Sequence, residues 1–251
     1  MRPAEARSTA HRALPAAPAG PSNSLLLFYA YREPAWSEEE HTRALRKVLG
    51  LAEQHLVKGR GRCAPEGLNC TLSGAARDVR AFCLSLRRWD EKLFGPCDFK
   101  ITDGLKKHEL FKRLTIRKTE ELVGYGLAGT RAPALETSSA RHLDADAYHA
   151  ALEDPTAVVV DVRNQYETEI GRMAPPPGGA EFLDPKIRNS HEFPRWLNAP
   201  ETRKKLAGRT VLMYCTGGIR CERASALLDA MGDLGAAAGG VGGGAAAGDR
   251  G

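Results

Sequence analysis

No apolar run in this chain approaches the roughly 20 residues that a helix needs to cross a bilayer, so no membrane partner is expected. Cys63, Cys70, Cys83 and Cys97 lack zinc-ligand spacing, and no other metal or cofactor motif stands out, so neither is expected. A secretory signal is also lacking. The six cysteines therefore point to a reducing compartment and to thiol chemistry, not to a disulfide framework. The first 24 residues hold one acidic side chain, Glu5, among Ala, Pro and Arg, and show no helical apolar face. They are read as a disordered lead of a cytoplasmic chain, with a plastid or mitochondrial transit peptide as the alternative. At the other end large side chains are scarce: 15 of the last 20 residues are glycine or alanine. Such a segment buries too little apolar surface to offset a backbone ordering cost of about 1–2 kcal/mol per residue, so residues 232–251 are predicted to be disordered.

Acidic residues are scarce in one region. Residues 42–131 contain 19 Lys and Arg against 10 Asp and Glu, leaving 17 against 21 for the rest of the chain. A basic first domain joined to a mildly acidic second one can hold a polyanion while the second domain works on it; a well-solvated basic surface explains the same counts. Arg60 and Arg62, the pair Lys106 and Lys107, and the pair Lys112 and Arg113 are the candidate phosphate contacts.

The 251 residues suffice for two small domains. Leu25–Tyr31 reads as a buried strand. Ser37 with Glu40 forms a capping box, and Leu45, Val48, Leu49, Ala52 and Leu56 follow at helical spacing. Strands over Gly61–Pro65 and Leu68–Ser73 flank a turn at Glu66 and Gly67. A second amphipathic helix carries Ala75, Val79, Phe82, Cys83 and Leu86, and strands over Cys97–Thr102 and Leu114–Val123 follow. The order β-α-β-β-α-β predicts a split-βαβ, ferredoxin-like domain over residues 25–127. Residues 128–139, rich in Thr, Ala, Pro and Ser without apolar periodicity, are read as the linker. A second domain opens with a short strand and a helix over His142–Leu152 and ends at 231.

That second domain carries the chemistry. The apolar run Thr210–Tyr214 delivers Cys215 to the loop Thr216, Gly217, Gly218, Ile219, Arg220, Cys221, beyond which Glu222–Leu228 reads as a helix. Two glycines let the backbone curl its N–H groups inward, and the helix start adds positive potential beneath the sulfur. Both lower a thiol pKa from its free value near 8.5 and favour the reactive thiolate. A core strand ending in a glycine turn, with Cys215 as a small buried hydrophobe, is the alternative. Arginine follows cysteine at the fifth position, not the sixth as in cysteine phosphatases. The tighter loop suits a transferable sulfur better than a phosphoryl group.

This loop, with its wording Cys-Thr-Gly-Gly-Ile-Arg-Cys-Glu, resembles the active loop of rhodanese-like sulfurtransferases. It is similar in particular to the subfamily of bacterial tRNA uridine hydroxylases of the TrhO type and their eukaryotic rhodanese-domain relatives. A second segment agrees: Ala157–Val160 leads to Asp161 and Arg163, then Glu167 and Gly171, with Arg172 and Met173 in place of the usual His-Ile. The residues themselves favour Asp161, Arg163 and Glu167 as supports over direct chemistry. The turn at Glu66 and Asn69 also resembles the family's, which makes both RNA-contact candidates, although a turn alone explains them.

The resemblance implies a parallel α/β rhodanese-like domain over residues 140–231, following the ferredoxin-like one. It covers roughly Leu25–Met231, so the domain is expected to lack its last strand and helix. A sheet finished by another chain, or a truncated product, would follow from that loss. The resemblance also implies Cys215 as nucleophile, Arg220 steadying the thiolate, and Cys221 as a resolving thiol or a core residue. The partners implied are a sulfur donor such as thiosulfate or a persulfide, and tRNA. Three functions are open: persulfide-forming sulfur transfer in tRNA modification, oxygen-dependent hydroxylation of the tRNA wobble uridine, and a non-catalytic binding or regulatory module. Oligomeric state is not legible.

Overall fold

A computed structural model describes residues 13–128, 132–136, 138–232 and 238–242. The chain forms two compact units that divide between Leu122 and Val123. In the first, β1 (Asn23–Tyr31) is followed by α1 (Glu38–Gln54), β2 (Lys58–Ala64), β3 (Gly67–Ala75), α2 (Ala76–Trp89), α3 (Glu91–Phe94), β4 (Lys100–Asp103) and β5 (Leu114–Lys118). The sheet order is β4-β1-β3-β2-β5, antiparallel except for the β2–β5 pair. The split-βαβ arrangement is thus present, with β5 as an added parallel edge.

Local chemistry explains these elements. β1 alternates strictly between buried and half-buried residues, so Leu26 and Phe28 face the core while Leu27, Tyr29 and Tyr31 face the open side. Ser37 caps α1: its hydroxyl accepts from the Glu40 N–H at 3.3 Å, and the Glu40 carboxylate accepts from the Ser37 N–H at 2.7 Å. Val48 and Ala52 on α1 and Val79, Phe82 and Leu86 on α2 close the core over one face of the sheet. Gly67 is required at the start of β3. Its φ is +131°, and a Cβ there would lie 1.9 Å from the Ala30 carbonyl oxygen.

In the second unit, β6 (His142–Leu143), α4 (Ala145–Leu152), β7 (Ala157–Asp161), α5 (Gln165–Ile170), β8 (Glu181–Leu183), α6 (Phe193–Asn198), α7 (Pro200–Leu206), β9 (Thr210–Tyr214), α8 (Ile219–Ala230) and β10 (Ala238–Gly242) follow. The sheet runs β6-β10-β9-β7-β8, and all its pairs are parallel. Every residue of β7 is buried, as befits a central parallel strand covered on both faces. Tyr148 and Leu152 of α4 cover the Val159 and Leu212 side. On the other side the Ser225 hydroxyl of α8 reaches the Met213 sulfur at 3.7 Å.

Three expectations need correction. The domain does not lack a strand between β6 and β9: β10 occupies that place, with Val241 opposite both His142 and Met213. Side-chain area was the wrong measure for it. A slot between two parallel strands is satisfied by backbone hydrogen bonds, each worth about 0.5–1.5 kcal/mol net, and these need no side chain. Residues 233–237 and 243–251 of the supposed disordered tail lie outside the described residues.

The lead over residues 1–24 is likewise ordered where it is described. The buried Arg80 guanidinium donates to the Pro15 and Ala16 carbonyls at 2.8 and 2.9 Å while pairing with Asp103. Residues 1–12 lie outside the described set. The third correction concerns residues 128–139, whose described part belongs to the second unit. Leu135 is buried, Arg223 donates to the Pro133 carbonyl, and the Ser138 and Ser139 hydroxyls donate to Asp229 at 2.8 and 3.0 Å. Polar ties of this kind leave no hydrophobic period in the sequence.

Candidate active site

β9 ends at Tyr214, so Cys215 emerges at the carboxyl edge of a parallel sheet, where open α/β sheets place their sites. The chain then turns through Gly218, whose φ of +98° suits glycine, into the first turn of α8. That turn aims the Gly218 N–H at the Cys215 sulfur, 3.0 Å away. Burial by itself would raise the thiol pKa. The Cys221 thiol donating to Cys215, the positive charge of Arg220 and the N–H groups of Gly217 and Cys221 outweigh it and bring Cys215 down to about 5.

Cys221 shifts the other way. Burial, then its hydrogen bond to and the charge of Cys215, hold it well above the ordinary thiol range. The pair thus shares one proton, kept on Cys221. Sequence reading left Cys221 between resolving thiol and core residue. It is fully buried on α8, and its thiol nevertheless reaches Cys215.

Arg220 is anchored. Its guanidinium forks onto the Glu167 carboxylate at 2.6 and 2.8 Å and donates to the Thr216 hydroxyl at 3.1 Å, which itself donates to Glu167. Although burial opposes its ionisation, Glu167 stays below the usual carboxylate range because of Arg220. Glu167 is placed by the start of α5, where it accepts from the Asn164 N–H at 3.1 Å.

Asp161 and Arg163 lie one layer back. Asp161 is fully buried, but it accepts from Arg163 at 2.7 and 2.9 Å, from the Thr168 hydroxyl at 2.9 Å and from the Tyr214 hydroxyl at 2.7 Å. Against the cost of burial these bonds keep its carboxyl below the ordinary value. Asp161 therefore ties β7, α5 and the residue before Cys215 into one unit. Sequence reading missed Tyr125. Its hydroxyl donates to the Arg220 carbonyl at 3.2 Å, and its ring stacks on Phe193. No local pattern marks a contact made 95 residues apart.

The RNA-contact candidates of the first unit separate into groups. Arg60, Arg62 and Asn69 share the open sheet face and line a groove of about 530 Å3, together with Thr71, Thr115 and Arg117, which sequence reading did not single out. The alternation of β5 was the available signal. Glu66 is a structural tie, its carboxylate accepting from the Leu122 N–H at 2.6 Å. Lys106, Lys107, Lys112 and Arg113 are exposed but do not line the groove. Among the described residues no cluster of three His, Cys, Asp or Glu could hold a metal, and no helix is long and apolar enough to cross a membrane.

Residues 24–122 match the UPF0176 acylphosphatase-like domain. The chain is 34% identical over 188 residues to rhodanese-like domain-containing protein 6 of Arabidopsis thaliana, covering 69% of this chain and 31% of that protein. It is 35% identical over 221 residues to a tRNA uridine(34) hydroxylase of Lactococcus lactis subsp. cremoris, covering 86% and 63%. With a hydroxylase of the same name from Prochlorococcus marinus it shares 32% over 204 residues, covering 80% and 61%. The chain thus spans less than two thirds of the length of each of these relatives.

Proposed function

The chain is a homologue of tRNA uridine(34) hydroxylases and of rhodanese-like domain proteins, and on that premise we propose that it modifies tRNA uridine through the Cys215 thiolate. One observation carries the reading. Among the six free cysteines, Cys215 alone has its pKa brought down, to about 5, and it sits on a preformed cradle at a helix start. At neutral pH it is a thiolate while its five counterparts are thiols.

The relatives' names favour hydroxylation of uridine 34. Converting a C–H bond to C–OH with dioxygen releases water and needs two further electrons. Closure of Cys215 and Cys221 to a disulfide supplies that pair, and the hydrogen bond already joining the two sulfurs supports it. The tight loop favours sulfur transfer as a second reading. There the thiolate attacks the outer sulfur of thiosulfate, a sulfur–sulfur bond forms, the donor's own breaks, and sulfite leaves with the electron pair. The resulting persulfide anion rests on the same N–H groups.

Labelling separates the two. Purified protein, tRNA, heavy-oxygen dioxygen and radiolabelled thiosulfate are combined, and the uridine is isolated. Heavy oxygen in uridine 34 supports hydroxylation, and radiosulfur supports transfer. Neither label, with Cys215 intact, removes the tRNA-modifying reading.

A further inference from the structure

Resting on the tRNA reading for the identity of the polymer, we infer that the open face of the first unit's sheet is a binding platform for single-stranded RNA, centred on Arg60, Arg62 and Arg117.

The register puts these residues into rows. One row runs Arg117, Arg62, Asn69, Tyr29 across β5, β2, β3 and β1; the next runs Thr115, Arg60, Thr71, Leu27. Arg60 and Arg62 are two residues apart on one strand, about 6.6 Å by the ordinary rise of ~3.3 Å, a step comparable to that between successive phosphates of a single strand. The groove between the rows measures about 530 Å3 and has no carboxylate in its lining.

What marks this face is three arginines lining one groove with no carboxylate among them. Several cations of the first unit have carboxylate partners, among them Arg80 with Asp103, Lys118 with Glu38, Lys100 with Asp98, and Arg32 with Asp90. Among the described residues, Arg60, Arg62 and Arg117 have none. Arg60 instead lies over the Phe111 ring at 5.6 Å. Three guanidiniums on neighbouring positions repel one another, and a polyanion relieves that repulsion while releasing its own counterions.

Beside the arginines, along the same rows, stand groups suited to bases. Asn69 offers both a donor and an acceptor, Thr71 and Thr115 offer hydroxyls, and Tyr29 with its neighbour Tyr31 closes the row with aromatic surface. A base can be presented to this face only if it is unstacked, which selects a single strand over a duplex.

The test uses the full chain, a short oligouridylate, the same oligomer annealed to its complement, and inorganic phosphate as competitor. Arg62→Ala and Arg117→Ala are each expected to weaken oligouridylate binding about tenfold and to lower the salt slope by roughly one. Tyr29→Leu is expected to weaken binding without changing that slope. Iodoacetamide alkylation of Cys215 is expected to be unchanged in all three, which reports the other unit independently. Unchanged affinity and salt slope in a folded Arg62→Ala/Arg117→Ala double variant would overturn the proposal. So would equal affinity for the duplex, or displacement by phosphate at concentrations that match its own weak binding. Oligouridylate binding that follows these variants, in a protein that labels no tRNA, leaves the platform standing and removes only the proposed reaction.

Discussion

Cys97 and Cys215 are each 6% exposed, yet one is an inert thiol and the other a thiolate. In the first unit the Cys97 thiol donates to the Tyr29 carbonyl at 3.3 Å, which requires its proton, and burial pushes its pKa far up. Cys63 and Cys83, buried in the same core, are pushed up to about 12. In the second unit the hydrogen bonds run the other way: the Gly218 N–H and the Cys221 thiol donate to Cys215, with Arg220 adding charge. Burial therefore does not decide reactivity. Burial raises both thiols, and only at Cys215 do donated hydrogen bonds and the charge of Arg220 outweigh it.

The largest expected effect comes from exchanging the two residues' fates. Cys215→Ser should abolish low-pH alkylation and tRNA labelling, at least about 10³-fold, while Cys97→Ser changes neither rate. A Cys97→Ser protein that lost labelling would break the comparison. Next comes the pH profile. With its pKa at about 5, Cys215 should alkylate at a level rate from about pH 8 down to that value and about tenfold more slowly per unit below it.

The sign of the linked stability is fixed by the same shift. The folded pKa lies below the free thiol value, so the stabilisation is complete above about pH 9 and is lost as pH falls to about 5. Cys215→Ser should remove this part of the pH dependence of the melting temperature.

Asp161→Ala should then cost roughly 3–5 kcal/mol of stability, because it strands the Arg163 guanidinium, and melting of the second unit measures it. Cys221→Ala should raise the inflection of the alkylation profile most, and Arg220→Met next; Cys221→Ser keeps a donor and should move it less than Cys221→Ala. The smallest effect belongs to the first unit. Ser37→Ala removes one half of the α1 capping box, for about 1 kcal/mol, and should leave the Cys215 profile untouched.

Much of this was legible from local pattern. The capping box at Ser37 and Glu40, the alternation of β1 and the glycine turn before Arg220 are short-range features, and each stands where the spacing placed it. Long-range ties were not legible. Tyr125 and Thr168 reach the site through hydrogen bonds that leave no periodicity, and Arg117 joins Arg62 only through the parallel register of β5 on β2. The tail misled for a related reason: side chains carry the sequence signal, whereas β10 is held by its backbone.

The sequence alone determined that a cysteine would leave an apolar strand into a glycine cradle with arginine five residues on, because spacing along one chain is sufficient to set that geometry. Only the tertiary structure decided which groups anchor Arg220 beside the thiolate and which arginines share the open sheet face. Both depend on what distant segments bring within about 3 Å, where hydrogen bonds and charges act.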